Sequence, residues 1–460
     1  NNGRVYMTWL YLFQTINNRL HTTLYWSYSD DGGVTWIEPK NPFISHYEMA
    51  SINSSKIKLA DKQWMAVNKN NDLFVSYTYI EQTSIGQSSA IYIAKLPNGS
   101  EEFDKPIRVS NDLSGLTQFS TITVDYNQNI HLMNAELKRN GQLLLVHTVS
   151  KNNGLSFVSN SYVSSISMPR SIFNQTGSKD TVVGITTRRL YPAPMLIADN
   201  NKKSPYKNYL YAVWNGNGIT NNLGNKMDIY FSRSLDGGTN WETPKVLSRE
   251  LNSRPVSQFY PSIAVNKEGV IAVSYYDRND DVNFDIKTDY VIQFSYDGGK
   301  SFTKPKKVNT ISSDFREIGA KNGDFGIGEY NMLLMNNSLA MPIWADGREG
   351  DGKVRIYTAK IGLDSNGIEV LYSLSSFNKI NNVYLNKDKD LIVEKIFTKD
   401  SRYNYLLYDL SGKKILETGE TLGEKGYTED KISLDNLITG VYFIYLNTEL
   451  GYSVAKFIKN

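Results

Sequence analysis

The stretch SLDGGTNW at 234–241 follows the strand-like run MDIYFSR, and its spacing of serine, aspartate, glycine and aromatic recurs as SDDGGVTW at 29–36 and SYDGGKSF at 295–302. A weakened copy, SKNNGLSF, stands at 150–157. The residue types are those of a tight hairpin turn. The carboxylates of Asp31, Asp236 and Asp297 can accept backbone N–H groups across the turn, beside the hydroxyls of Ser29, Ser234 and Ser295. Gly33, Gly238 and Gly299 supply positive φ, and Trp36, Trp241 and Phe302 bring a large apolar face to bury next to it. A calcium loop would need alternating oxygen ligands and a closing glutamate, which no copy supplies.

Around each box the text divides into short alternating runs. The fullest copy is YPSIAVNKEG, VIAVSYYDR, DYVIQFSYD, the turn, and KPKKVN, over 260–309. Matching units fall near 63–107, 119–163, 193–247 and 325–361, and a unit over 3–37 starts at what reads as its second strand. Four-stranded units that cannot bury their own faces predict radial packing, so the expectation is an all-β chain with a six-bladed β-propeller over 1–365. Two β-sandwiches are the alternative. With 31 Tyr and 12% aromatic residues the chain has ample material for a large core.

Charge excludes some partners. Lys+Arg 50 against Asp+Glu 47 gives +3, without blocks of either sign, so nothing points to nucleic acid. No apolar run reaches the roughly 18–20 residues of a membrane span, and there are no cysteines for thiolate metal sites. His21, His46, His131 and His147 lack metal-ligand spacing, and no metal is expected. Asp277, Asp280, Asp281 and Asp285 in DRNDDVNFD could hold a structural calcium ion, although a solvated acidic loop is the commoner outcome. No cofactor is otherwise implied.

The boxed turns resemble the Asp-box (BNR) repeats of the sialidase superfamily over residues 3–361. In a four-stranded meander the boxes mark one face, and the loops joining second to third strands mark the other. That second face gathers Trp214, Asp277, Arg278, Asp346 and Arg348, with Arg316, Asp324, Glu329 and Tyr330 from the loop ahead of the sixth unit, as candidate ligand residues. The resemblance implies three arginines on a substrate carboxylate, a tyrosine nucleophile paired with a glutamate, and an aspartate acid/base. The family's Arg-Ile-Pro motif is absent, Arg4 being its nearest counterpart. Arg188, Arg278 and Arg348 offer a clamp by topology alone, and neighbouring Glu329 and Tyr330 would point to opposite faces of a strand. The expectation is therefore a glycan- or protein-binding module with no assigned catalytic residue, the alternative being an exo-sialidase or another polysaccharide-degrading enzyme.

Past a linker at 366–375 the character changes. Residues 376–460 read as a small Ig-like β-sandwich of about seven short strands. LYDLSGKKI with Asp409 and Gly412, NLITGVYFI with Gly440 and Tyr442, and the terminal KFIK with Lys456 resemble the type A C-terminal sorting domain of the type 9 secretion system of Bacteroidetes. The usual opening Pro-Asn-Pro is absent. The resemblance implies export through the type 9 translocon with its outer-membrane shuttle protein, and a secreted or outer-surface location. A spacer or carbohydrate-binding module is the alternative for this tail.

Overall fold

A computed structural model describes residues 3–14, 20–49, 57–83, 86–110, 115–168, 182, 184–185, 190–217, 226–248, 256–281, 283–318, 330–364, 367–373, 378–386, 389–397, 400–424, 426–435, 437–448 and 451–459. The described residues are almost entirely β. Four antiparallel meanders follow one another, each in simple sequential order: Ile57–Val67 to Ile107–Arg108, Leu116–Val124 to Val158–Ile166, Met195–Ala198 to Lys245–Val246, and Phe259–Val265 to Lys306–Lys307. A three-stranded sheet, Val5–Gln14, Leu20–Ser29 and Phe43–Met49, precedes them. A sheet of Met332–Met335, Leu339–Asp346, Arg355–Asp364 and Gly367–Ser373 follows. The chain divides into two compact units, and the division passes through this last sheet: 1–307, 311–337 and 345–354 form one, and 308–310, 338–344 and 355–460 the other.

Adjacent sheets of the first unit share apolar cores. Leu24 and Trp26 pack with Leu73 and Val75, Phe74 and Ile91 with Ile122 and Leu132, and Tyr211 and Phe231 with Ile263 and Val273. Each cluster joins consecutive sheets, because strands buried on both faces carry apolar residues on both.

The boxes at 234–241 and 295–302 connect the third strand of a sheet to its outermost one, the box at 29–36 leads from the second strand of the three-stranded sheet to its last, and the geometry explains their composition. The serine hydroxyl donates to the aspartate (Ser29 2.7 Å, Ser234 2.8 Å, Ser295 2.9 Å) while accepting the N–H of the second glycine at 2.8 Å in all three. Both glycines of each pair have positive φ, from 67° to 92°. Asp31 takes the Thr35 hydroxyl (2.6 Å) and the Val34 and Thr35 N–H groups, which hold its pKa well below the usual carboxylate range. In the boxes at 234–241 and 295–302 the aromatic then docks on the preceding sheet: Trp241 Nε1 donates to Ser161 Oγ at 3.1 Å, and the Phe302 ring lies edge-on to Phe231 at 5.0 Å.

In the second unit, Asn378–Leu385, Leu391–Phe397 and Gly426–Ile432 form one sheet. Lys414–Glu417, Ser401–Asp409, Gly440–Thr448 and Gly451–Lys459 form another, in that order, with Thr421–Gly423 also paired to Ser401–Asp409. Alternate residues of both sheets, among them Leu391, Val393, Tyr405, Leu407, Ile444 and Leu446, enclose one core. Inside it Lys395, 1% exposed, donates to Asp430 at 2.6 Å, and Asp430 also accepts the Tyr403 (2.7 Å) and Tyr405 (2.8 Å) hydroxyls.

Candidate functional site

The first strands of successive sheets break in the same way. Register shifts interrupt them between Asp61 and Trp64, Gln118 and Thr121, and Phe259 and Ser262. Within these bulges Lys62 (φ 57°), Phe119 (59°) and Tyr260 (52°) sit in the left-handed region, as does Ala193 (44°) just ahead of Met195–Ala198. For non-glycine residues this conformation is costly and clusters at functional sites. In each case the residue six positions on is Asn or Asp (Asn68, Asp125, Asn266 and Asp199 respectively), which closes the following hairpin. Its side-chain oxygen accepts local N–H groups: Asn68 from Asn70, Asp125 from Asn129, Asp199 from Asn201, and Asn266 from Glu268. One end of the strand is thus fixed by an Asx turn while the other is bent.

The bent ends converge on a cavity of about 50 Å³ lined by Lys62, Trp64, Phe119, Tyr191, Pro261 and Tyr330, among others. The Lys62 ammonium lies 4.8 Å from the Tyr191 and Tyr330 ring centroids and 5.7 Å from that of Phe119. Phe119 stacks on Tyr191 at 4.2 Å, and Tyr191 meets Tyr260 at 5.5 Å. Buried Asn215 clamps two of these segments, donating from Nδ2 to Tyr191 O (2.9 Å) and accepting Tyr260 N–H (3.1 Å). Asn331, next to Tyr330, donates to Tyr260 O at 3.0 Å. Beside the cavity runs a groove of about 370 Å³ lined by Asp61, Gln63, Trp64, Tyr330 and Met332, among others. Asp61 Oδ1 accepts the Lys62 N–H at 2.7 Å. An amine, a phenol and a carboxylate therefore line a recess of two adjoining spaces that share Trp64 and Tyr330, with Lys62 in the smaller and Asp61 in the larger.

Of the residues expected from sequence, Tyr330 is in this recess and 52% exposed. Most of the others serve the scaffold, which differs from the expected loop-borne ligand face. Trp214, 1% exposed, stacks on Tyr230 at 5.9 Å. Arg278 is fully buried, donating to Thr288 Oγ1 (2.9 Å) and Asp285 O (2.6 Å), and burial pushes its pKa down to about 10. Asp277, buried, accepts from Gln258 Nε2 at 2.9 Å. Arg348 and Asp346 form a buried two-pronged pair (2.6 and 3.0 Å) within one turn. Arg316 pairs in the same manner with Asp314, at the surface. Arg4 is held by Asp30 at 2.7 and 2.8 Å. Asp324, Glu329 and Arg188 lie outside the described residues.

The acidic loop disperses its carboxylates: Asp281 accepts the Ile286 and Lys287 N–H groups, and Asp285 the Ser257 N–H and the Lys226 ammonium. Among the described residues no group of three metal-ligating side chains occurs. The histidines, far apart in sequence, meet in pairs, His21 with His46 (3.3 Å) and His131 with His147 (3.0 Å). His131 also reaches Asp125 at 3.2 Å. Sequence reasoning missed Lys62, Trp64, Phe119 and Tyr191. The six-residue offset to an Asn or Asp, which Tyr330 and Asn336 also obey, was the available signal.

No curated protein sequence matches the chain. Among solved structures it is similar to the Hadza microbial sialidase Hz136 (12% identity, TM-score 0.42, 74% of this chain and 63% of that one). It is also similar to a Penicillium chrysogenum alpha-L-arabinanase complexed with arabinobiose (10%, 0.44, 74% and 89%) and to a PL25 ulvan lyase (10%, 0.42, 92% and 93%). The chain thus spans less than two thirds of the sialidase's length, and at these identities no chemistry is carried across. Residues 382–460 match the family described as secretion system C-terminal sorting domain. In the structure its signature residues shape the fold of the tail. Asp409 accepts the Ser411 (2.9 Å) and Lys413 (3.0 Å) N–H groups around Gly412 at φ 84°. Gly440 opens a strand, buried Tyr442 donates to Ile438 O at 2.9 Å, and Lys456 lies opposite Phe443. With a sorting domain of this kind at 382–460, the chain is an export substrate, secreted from or displayed on the outer surface of a Gram-negative bacterium.

Proposed function

We propose that this exported protein degrades a polysaccharide in the recess where the first strands converge. The six-bladed β-propeller with an Ig-like tail, divided near residues 365 and 376, is the architecture that accompanies the reading. The observation that carries it is the repeated left-handed residue: four sheets accept backbone strain, about 1–3 kcal/mol each, at the positions that bring side chains to one cavity. Within reach of a sugar stacked on Trp64, the Tyr330 phenol can give its proton to the departing glycosidic oxygen while the Asp61 carboxylate takes one from the attacking water. The translocon and its shuttle protein are the proposed partners of the tail.

The test is release of new saccharide ends from a panel of polysaccharides by the purified chain and by its Tyr330→Phe and Asp61→Asn variants. Turnover on at least one polymer should fall about 100-fold or more in each variant. Unchanged turnover in both variants would refute the assignment of the recess. Glycan binding without turnover is the second reading, favoured by the burial of Arg278 and Arg348 in their own loops, which leaves neither free for a carboxylate clamp. For that reason sialosides should not be cleaved.

A further inference from the structure

We propose that Lys62 is the anion-reading residue of this recess, so that the saccharide it takes carries a compact acidic group, a carboxylate or a sulfate ester. The inference rests on the glycan reading above and names its substrate class. Lys62 is half-buried, yet among the described residues no carboxylate lies within ion-pair distance of its ammonium, whose neighbours are three aromatic rings. Cation–π contacts of this kind offset part of the cost of removing an amine from water, but they do not neutralise its charge. An anion entering the cavity would.

The backbone supports a dedicated role. At φ 57° an L-residue is disfavoured, and lysine has none of the local hydrogen bonding that lets Asn or Asp tolerate the left-handed region. The strain is accepted where it aims this side chain into the cavity. Size then limits the group: about 50 Å³ is room for three or four waters, enough for a carboxylate or sulfate and too small for a sugar ring. The ring belongs in the adjoining groove of about 370 Å³, and Trp64 and Tyr330 line both spaces. A single lysine presents a point charge, unlike a planar guanidinium fork, so the subsite reads charge more than carboxylate shape.

The test is calorimetric titration of the full chain with a uronate oligosaccharide, a sulfated oligosaccharide and a neutral one of equal length. At least one acidic ligand should bind about tenfold or more tightly than the neutral one, with the difference shrinking as salt rises. Which acidic ligand gains identifies the group. Lys62→Met should abolish the difference with the unfolding midpoint in place; Lys62→Arg should keep most of it. A difference that survives in Lys62→Met, or equal binding of all three ligands by the wild type, overturns the inference and leaves the glycan reading standing. Failure of the wild type to bind any saccharide overturns both.

Discussion

The two glycines of the box at 234–241 carry unequal burdens, and replacing each with alanine separates conformational from steric cost. Gly237 has φ 68° and nothing within 4 Å of the place an alanine Cβ would take, whereas at Gly238, φ 89°, a Cβ would lie 2.1 Å from His147 Cε1 and 2.5 Å from Nδ1. The imidazole cannot withdraw: it is fully buried, 3.0 Å from His131 and 5.7 Å from the Trp241 ring centroid. Alanine at either site incurs about 1–2 kcal/mol for the left-handed backbone, offset by about 0.5–1 kcal/mol from reduced freedom in the unfolded chain. Gly237→Ala should therefore destabilise by about 1 kcal/mol or less. Gly238→Ala adds overpacking of about 1–3 kcal/mol, for a total of about 1–4 kcal/mol. Urea unfolding followed by tryptophan fluorescence is the assay, because all seven tryptophans stand at or before residue 344 and the tail contributes none. His147→Ala in the same chain should recover much of the steric share. Equal effects at 237 and 238 would refute the packing argument. In the box at 295–302 no such asymmetry is expected, since a Cβ on Gly298 meets Tyr206 at 2.5 Å and one on Gly299 meets Phe231 at 2.6 Å.

Acid should unfold the repeat region through His147. Burial and then His131 push its pKa down to about 3, so protons bind the unfolded chain preferentially between about 6.5 and 3. Stability is fully present above the unfolded value and is lost as pH falls through that window, by up to about 3 kcal/mol between pH 7 and 4, and His147→Gln should flatten the profile measured by urea titration. In the tail, Asp430→Ala strands the buried Lys395 amine and should cost about 3–5 kcal/mol, while Lys395→Met with Asp430→Leu should cost far less, as limited proteolysis would show. Ala193→Gly removes a left-handed alanine at φ 44° and should leave urea stability unchanged or raised by less than about 1 kcal/mol; a clear loss would mean the backbone there is not strained. Deleting 376–460 should keep the truncated chain from reaching the medium or outer surface, measured by cell fractionation.

The repeats were legible because their signal is local. Ser, Asp and Gly at fixed offsets encode a turn whose hydrogen bonds close within about five residues, and the structure repeats them at Ser29, Ser234 and Ser295, with serine–aspartate contacts of 2.7, 2.8 and 2.9 Å. The tail was legible for the same reason, Asp409 and Gly412 making a turn of equal locality. The recess was not. Arg278 and Asp346–Arg348 look like ligand residues in sequence because charged side chains in loops usually face water. Here the loops fold back and use the guanidinium groups as internal hydrogen-bond donors to Asp285 O and Asp346. Lys62 and Phe119 stand instead within strand-like runs, where an alternating pattern assigns them to a sheet face and gives no notice of a bulge.

What sets the recess apart is a division of labour along each first strand. Its far end is tied down: Asn68, Asp125 and Asn266 close their hairpins with side-chain acceptors 2.7–2.9 Å from backbone donors, an arrangement that stabilises whatever the rest of the strand does. Its near end gives up ladder pairing at the bulge and holds a non-glycine residue at positive φ, which on its own is unfavourable. The six-residue spacing keeps both within one strand, so the turn anchors the strained segment without occupying the cavity. A strand optimised for stability alone would place glycine at the bulge. Finding Lys62, Phe119, Ala193 and Tyr260 there means that three side chains larger than a methyl group are retained at the convergence point in spite of the backbone cost, with two of them lining the cavity directly. Anchoring hydrogen bonds and backbone strain thus fall at opposite ends of the same repeating strand.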